Sequence, residues 1–146
     1  MSKHQIIWGG NYFPLPPSQY FCIWDKGESI YGRSFAEGEF AWVDSGGTRI
    51  FKFPPNQLDR IHVAQKPVPL YIFCLQQYAK PGYKIFDSHV GSGSSRIACY
   101  DLGFDFWGCE KDKYYWGLQE DRFNKYLSQP KLFDTNEVEY KQEDLF

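Results

Sequence analysis

The stretch Asp87-Ser88-His89-Val90-Gly91-Ser92-Gly93-Ser94-Ser95 limits the possible folds more than any other part of the chain, because it reads as a strand, a glycine turn and a helix in succession. Residues 83–86 supply apolar β-formers. Gly91 and Gly93 lack the Cβ atoms that would keep a ligand away, and Ser94 and Ser95 are placed to cap a helix over 96–102. A second apolar run, 104–109, ends in Glu110. An acid at the tip of the second strand is where an adenosine ribose would offer its two hydroxyls. A bare G-x-G is a weak signal, since a tight βα turn with no ligand has the same form. The order strand, turn, helix, strand, acid is more informative, because ligand geometry dictates the place of each part. The pattern does not extend to G-x-G-x-x-G, as Arg96 stands where the third glycine would be. With 146 residues there is also no room for a substrate domain, which argues against a dinucleotide oxidoreductase.

Around this centre the chain reads as α/β. An apolar strand at 5–8 breaks at Gly9-Gly10, and strands at 20–24 and 40–43 predict an antiparallel hairpin joined by a long loop over 29–39. A short strand over 48–53 follows the Gly46-Gly47 turn, and residues 54–59 are irregular. A helix over 68–78 starts after Pro67 and ends before Pro81-Gly82. A last helix over 113–127 carries Tyr114, Tyr115, Leu118, Phe123 and Leu127 as an aromatic inner face. Nothing repeats internally. This order predicts a sandwich whose main sheet is parallel wherever helices make the crossovers.

Composition narrows the class further. Aromatic residues make up 20% of the chain, far too many for a disordered protein, and no apolar run approaches the ~20 residues needed to span a bilayer. No signal peptide is visible, so the expected location is cytoplasmic. Cys22, Cys74, Cys99 and Cys109 lie dispersed in apolar surroundings without C-x-x-C spacing; they read as reduced and buried, with neither a metal site nor a disulfide framework. The net charge of −2 conceals an acidic tail, in which residues 134–146 hold five acids and one lysine and leave +2 for the body. Arg49, Lys52 and Arg60 form a small basic stretch that suits either phosphate contact or an ordinary solvated loop. Trp8, Tyr12, Trp24, Trp42 and Trp107 read either as buried strand aromatics or as a base-stacking set.

Three patches resemble the DNA amino-methyltransferases, which move a methyl group from S-adenosylmethionine to adenine N6 or cytosine N4. Ile7-Trp8-Gly9-Gly10-Asn11-Tyr12-Phe13, with Ile23-Trp24-Asp25-Lys26 and Ala41-Trp42, looks like the strands after the catalytic loop in phage-type members. Arg60-Ile61-His62-Val63-Ala64-Gln65-Lys66-Pro67 resembles the H-P-T-Q-K-P motif ahead of the cofactor strand. Residues 83–95, with Asp101-Leu102-Gly103-Phe104-Asp105 and Gly108-Cys109-Glu110-Lys111-Asp112, resemble the cofactor loop and ribose-binding acid. The order is the permuted one of the beta class, such proteins occur in restriction-modification, and the matches run from residue 2 to about 126.

The resemblance implies a Rossmann-like S-adenosylmethionine-dependent fold over 1–132, followed by an acidic tail over 133–146. It implies double-stranded DNA as partner. Gly91 and Gly93 would admit the cofactor, Ser94 and Ser95 would offer donors at the helix start, and Glu110 would bind the ribose. Asp87 would fix the turn or face the methionine amine, His89 stands where the cofactor loop usually has an aromatic, and Lys66 would line the methionine end or remain a solvated lysine. His62 takes its interest from its motif, with a capping or core role as the alternative. The family's Asp/Asn/Ser-Pro-Pro-aromatic motif is absent: Pro16-Pro17 lies between Leu15 and Ser18, and Pro54-Pro55 between Phe53 and Asn56. By the resemblance it belongs upstream of Met1, on a central strand between the glycine-turn strand and the strand at 5–8. An incomplete sheet is therefore expected, with no catalytic residue assignable. Three arrangements would answer it: a second chain supplying the strand, a homodimer, or direct closure of the two neighbours. A non-catalytic S-adenosylmethionine- or DNA-binding remnant, or a structural subunit, is the alternative function.

Overall fold

The computed structural model describes residues 2–130, so the acidic tail expected over 133–146 lies outside the described residues. The chain divides into two compact units between Pro55 and Asn56, directly after the Pro54-Pro55 pair.

The first unit is a four-stranded sheet with β1 (Ile6–Trp8), β2 (Tyr20–Asp25), β3 (Gly38–Val43) and β4 (Arg49–Lys52) in the order β1-β3-β2-β4. The expected β2–β3 hairpin is antiparallel, with Cys22 opposite Ala41 and Trp24 opposite Glu39. Alternation along the strands sends Cys22 and Trp24 of β2, and Ala41 and Val43 of β3, into the same core, which Phe51 of β4 completes. β4 runs parallel to β2 on its far side. Thr48 helps it cross, because its hydroxyl accepts from the Phe21 N–H (3.2 Å) and donates to the Gln19 carbonyl (3.3 Å) at the start of β2. β1 is a half-buried edge strand rather than a fully buried one, and a single 3₁₀ turn, Gly10–Tyr12, follows it.

The second unit starts its helices with α1 (Val68–Tyr78), as expected: Pro67 precedes it in an extended conformation, and Leu70, Ile72, Phe73 and Cys74 are buried. β5 (Lys84–Asp87), α2 (Ser94–Leu102), β6 (Asp105–Gly108) and α3 (Lys113–Ser128) follow. β5 and β6 are parallel and in register, with Ile85 opposite Phe106 and Asp87 opposite Gly108. α2 packs on α1 and β6, burying Ile97, Ala98 and Cys99. The face of this pair that carries Phe86 and Trp107 stays open among the described residues; they are 67% and 51% exposed, and the Lys84 ammonium lies 5.5 Å from the Trp107 ring centre. Parallel sheets are ordinarily covered on both faces.

Among the described residues the strands fall into two sheets, β1-β3-β2-β4 in the first unit and β5-β6 in the second. Three expectations need correction. The inner face of α3 is not a purely aromatic one: Tyr114 and Leu127 are exposed, while Gln119 is fully buried. Cys109 is exposed, because it lies just past the end of β6; Cys22, Cys74 and Cys99 are buried, and all four are free thiols. Burial, with a smaller contribution from the Asp87 carboxylate, pushes the Cys99 thiol up to about 12. Of the proposed stacking aromatics, Trp24 is buried with its indole N–H on the Phe53 carbonyl (2.8 Å), Trp8 and Trp42 are half-buried, and Tyr12 and Trp107 are exposed. Among the described residues no helix is long and apolar enough to cross a membrane.

Candidate functional site

The site is built at the carboxyl ends of β5 and β6. β5 ends in Asp87, whose carboxylate braces the turn that follows: one oxygen accepts the His89 N–H (2.9 Å) and the other the Ser95 hydroxyl (2.6 Å). Of the two roles open to Asp87, turn fixation is the one its contacts display. The exposed His89 ring is 2.9 Å from the Ser88 hydroxyl through Nδ1. The Gly93 N–H closes the turn onto the Val90 carbonyl at 2.9 Å.

α2 begins at Ser94, not at 96, and Gly93 is its N-cap with φ +77°. The expected capping by the Ser94 and Ser95 hydroxyls is therefore corrected. A glycine in the left-handed region swings the chain into the helix early, and both serines fall in its first turn. Ser94 is buried, with its hydroxyl 3.2 Å from that of Ser92, and the Ser95 hydroxyl is turned to Asp87. What these two residues bring to the helix start is their backbone N–H groups, which have no partner four residues back within the helix.

Glu110 lies just beyond β6 and faces the same turn. Its Oε2 accepts the Gly91 N–H (2.9 Å) and its Oε1 the Asp112 N–H (3.0 Å). The Asp112 N–H above all, with lesser help from Gly91, Lys111 and the charge of His62, holds its carboxyl below the usual glutamate value against the opposing effect of burial. The turn is clamped to the strand end by two further bonds, Val90 N–H to the Cys109 carbonyl (3.1 Å) and Cys109 N–H to the Asp87 carbonyl (3.0 Å). So close an approach requires Gly108, since a Cβ there would lie 2.3 Å from Val90 Cγ2.

A third segment, the irregular stretch before α1, joins the turn. The His62 ring packs edge-on to Tyr115 of α3 (centroids 4.3 Å apart), and a Cβ on Gly91 would sit 3.9 Å from the same imidazole. His62 Nδ1 accepts the Ala64 N–H at 3.1 Å, so it also has the local capping role. Thus Asp87, His89, Gly91, Gly93, Ser94, Ser95 and Glu110 form one cluster with His62 and Tyr115. Lys66 lies half-buried between Gln65 and Pro67 in the lead-in to α1.

The basic stretch does not form one continuous group along the fold. Arg49 and Lys52 are on β4 in the first unit and Arg60 is in the second. The Arg49 guanidinium donates to the Thr48 carbonyl (2.9 Å), and Lys52 is ion-paired with Glu28. Arg60 binds the carbonyls of His62 and Val63 in its own loop.

Three polar residues that organise the site were not among those singled out in the sequence. Gln65 is buried, accepts the Ile61 N–H (2.9 Å) and donates to the Gln57 side chain (2.9 Å). Gln119 lies under Gly93 and is bonded to Arg96 (3.1 Å) and Glu120 (3.0 Å). Arg122, one turn later, reaches Asp59, Ser92 and Ser94. Tyr115, Leu118, Gln119 and Arg122 follow one another at helical spacing, which is the signal that marks them as one face.

Strand, glycine turn, helix and parallel strand, with an ionised acid closing on the turn, define the class: a βαβ unit of an α/β protein. Residues 19–120 match the model of the N6/N4 DNA methylases, described as DNA methylase, and the chain belongs to that family. Its fold is similar to that in the crystal structure of the M1.HpyAVI–SAM complex, with TM-score 0.58, 23% identity, and coverage of 71% of this chain and 61% of that one. The crystal structure of M1.HpyAVI gives 0.52, 23%, 71% and 58% in the same terms. A Thermus thermophilus protein, TTHA0409, provisionally described as a DNA modification methylase, gives 0.50, 21%, 72% and 54%. The chain therefore spans 54–61% of the length of these solved relatives. No curated protein sequence matches it.

Proposed function

We propose that this chain is the cofactor-binding portion of a site-specific DNA amino-methyltransferase, of beta-class motif order and phage type, that uses S-adenosylmethionine and prefers adenine N6 to cytosine N4. The observation that carries this reading is Glu110: an ionised carboxylate at the end of β6, hydrogen-bonded to Gly91 in the turn that ends β5. Such a carboxylate retains acceptor capacity for the two ribose hydroxyls of an adenosyl group, and the glycine turn beside it leaves room for the nucleoside. The M1.HpyAVI structure with SAM supports the choice of cofactor.

In this reading Glu110 holds the ribose, Gly91, Gly93 and the first-turn amides of Ser94 and Ser95 face the cofactor, and Asp87, His89 and Lys66 border its amino-acid end. S-adenosylmethionine, when bound, supplies an electrophilic methyl group on a sulfonium. The remaining contribution of the protein is alignment and exclusion of water, with the target base turned out of double-stranded DNA to reach the site. Arg49, Lys52 and Arg60 serve the phosphates. The amine-accepting Pro-Pro-aromatic motif comes from another segment or a second chain, whereas a second copy of this one would only pair across the gap, since it carries no such motif; the open face at Phe86 and Trp107 supports a neighbour.

The reading of a non-catalytic binding module or structural subunit is favoured by one observation, that neither Pro16-Pro17 nor Pro54-Pro55 has a polar acceptor before it and an aromatic after it. Calorimetric titration of the purified chain with S-adenosylmethionine separates the two cases. Micromolar binding that Glu110→Ala abolishes and Glu110→Gln weakens is expected. A folded chain that takes up no S-adenosylmethionine would overturn the cofactor assignment and leave the structural-subunit reading.

A further inference from the structure

Arg122 is the side chain that joins three segments of the second unit. It is 8% exposed. Its Nε–H donates to Asp59 Oδ2 at 2.6 Å, and its Nη1 donates to the Ser92 carbonyl and to the Ser94 hydroxyl, each at 2.9 Å. Ser92 is inside the glycine turn, Ser94 opens α2, and Asp59 lies three residues before His62. A guanidinium is planar, permanently charged and carries its donors in a fixed fork. The separation between the Asp59 segment and the turn is therefore set by the covalent geometry of one group.

We propose that Arg122 is a positioning residue that couples the glycine turn to the segment carrying His62, so that filling the turn orders residues 57–65 through the chain Ser92, Arg122, Asp59. The proposal rests on the cofactor reading above for its ligand, but the link itself acts in the free protein too, since coupling between two places is reciprocal.

The test uses hydrogen exchange of the whole chain, with and without saturating S-adenosylmethionine, in the wild type and in Asp59→Asn, Asp59→Glu and Arg122→Lys. The Asp59 carboxylate is 57% exposed, so the asparagine removes the charged link without unmaking a core. In the free protein, Asp59→Asn is expected to speed exchange in the turn, 88–95, by about tenfold, the scale of one partly exposed charge-assisted bond, with Asp59→Glu restoring it. With S-adenosylmethionine, the wild type is expected to gain protection in both 88–95 and 57–65, whereas Asp59→Asn and Arg122→Lys keep the gain in 88–95 and lose it in 57–65. An Asp59→Asn chain whose turn exchanges as in the wild type, or whose 57–65 segment is protected equally by the ligand, overturns the coupling. A wild type that shows the free-state effect but no response to S-adenosylmethionine upholds the link and removes the cofactor reading instead.

Discussion

Gly93 and Gly103 bracket α2 as its N-cap and C-cap, with φ of +77° and +72°, and they allow a controlled comparison of backbone against packing. A Cβ at 103 would meet nothing within 4 Å. Gly103→Ala therefore costs the left-handed backbone alone, about 1–2 kcal/mol. At 93 the added carbon would lie 3.1 Å from Gln119 Oε1 and 3.3 Å from Gln119 Cβ. Gln119 is fully buried and bonded on both sides, to Arg96 and to Glu120, so it has little freedom to withdraw. Overpacking a filled interior adds about 1–3 kcal/mol, and Gly93→Ala should be less stable than Gly103→Ala by that difference. Urea unfolding followed by helical circular dichroism measures it, because every α-helix among the described residues belongs to the second unit. Equal m values with midpoints that differ in the stated sense are expected. Agreement of the two variants within about 0.5 kcal/mol would refute the packing argument and leave backbone conformation as the whole reason for glycine at 93.

Glu110 makes stability depend on acid. Its folded-state carboxyl titrates below the ordinary value of 4.5, so the ionised form stabilises the fold; that contribution is present above about pH 4.5 and is lost as the pH falls through the lower folded value. Glu110→Gln should flatten this part of the acid-unfolding curve, and superimposable curves for the two proteins would show that the hydrogen-bonded carboxylate has no such role. Thiol alkylation read by mass spectrometry should place a single adduct on Cys109 in the native chain, since the Cys99 thiol is held near 12 and Cys22 and Cys74 are buried. Labelling of Cys99 at a comparable rate would contradict the packing of α2.

Local signals were legible where one residue type has one geometric use. Pro67 ahead of α1 and Pro81-Gly82 after it marked that helix to the residue, and the order from β5 to Glu110 appeared in sequence as it does in space. The start of α2 is hidden in the sequence, because serine is so good a cap that it masks Gly93, whose left-handed backbone turns the chain into the helix. Gln119 and Arg122 are hard to read in sequence, because polar residues on a helix ordinarily face water; only the contacts beneath the glycine turn draw them inward. The exposure of Cys109 is not legible, since an apolar neighbourhood in sequence says nothing of where a strand stops. The parallel placement of β4 beside β2 depends on pairing between distant residues, and no local pattern encodes it.

The in-register pairing of β5 with β6 has an evolutionary corollary. Strand partners alternate faces with every residue, so a one-residue insertion or deletion inside Asp105–Gly108 would exchange inward and outward side chains and bring Trp107 or Cys109 to the place beside Val90 that tolerates only hydrogen. The strand length is consequently frozen for any lineage that keeps this turn, and residues 111–113 share the constraint although exposed, because the Asp112 N–H holds Glu110 and the Asp112 side chain caps α3.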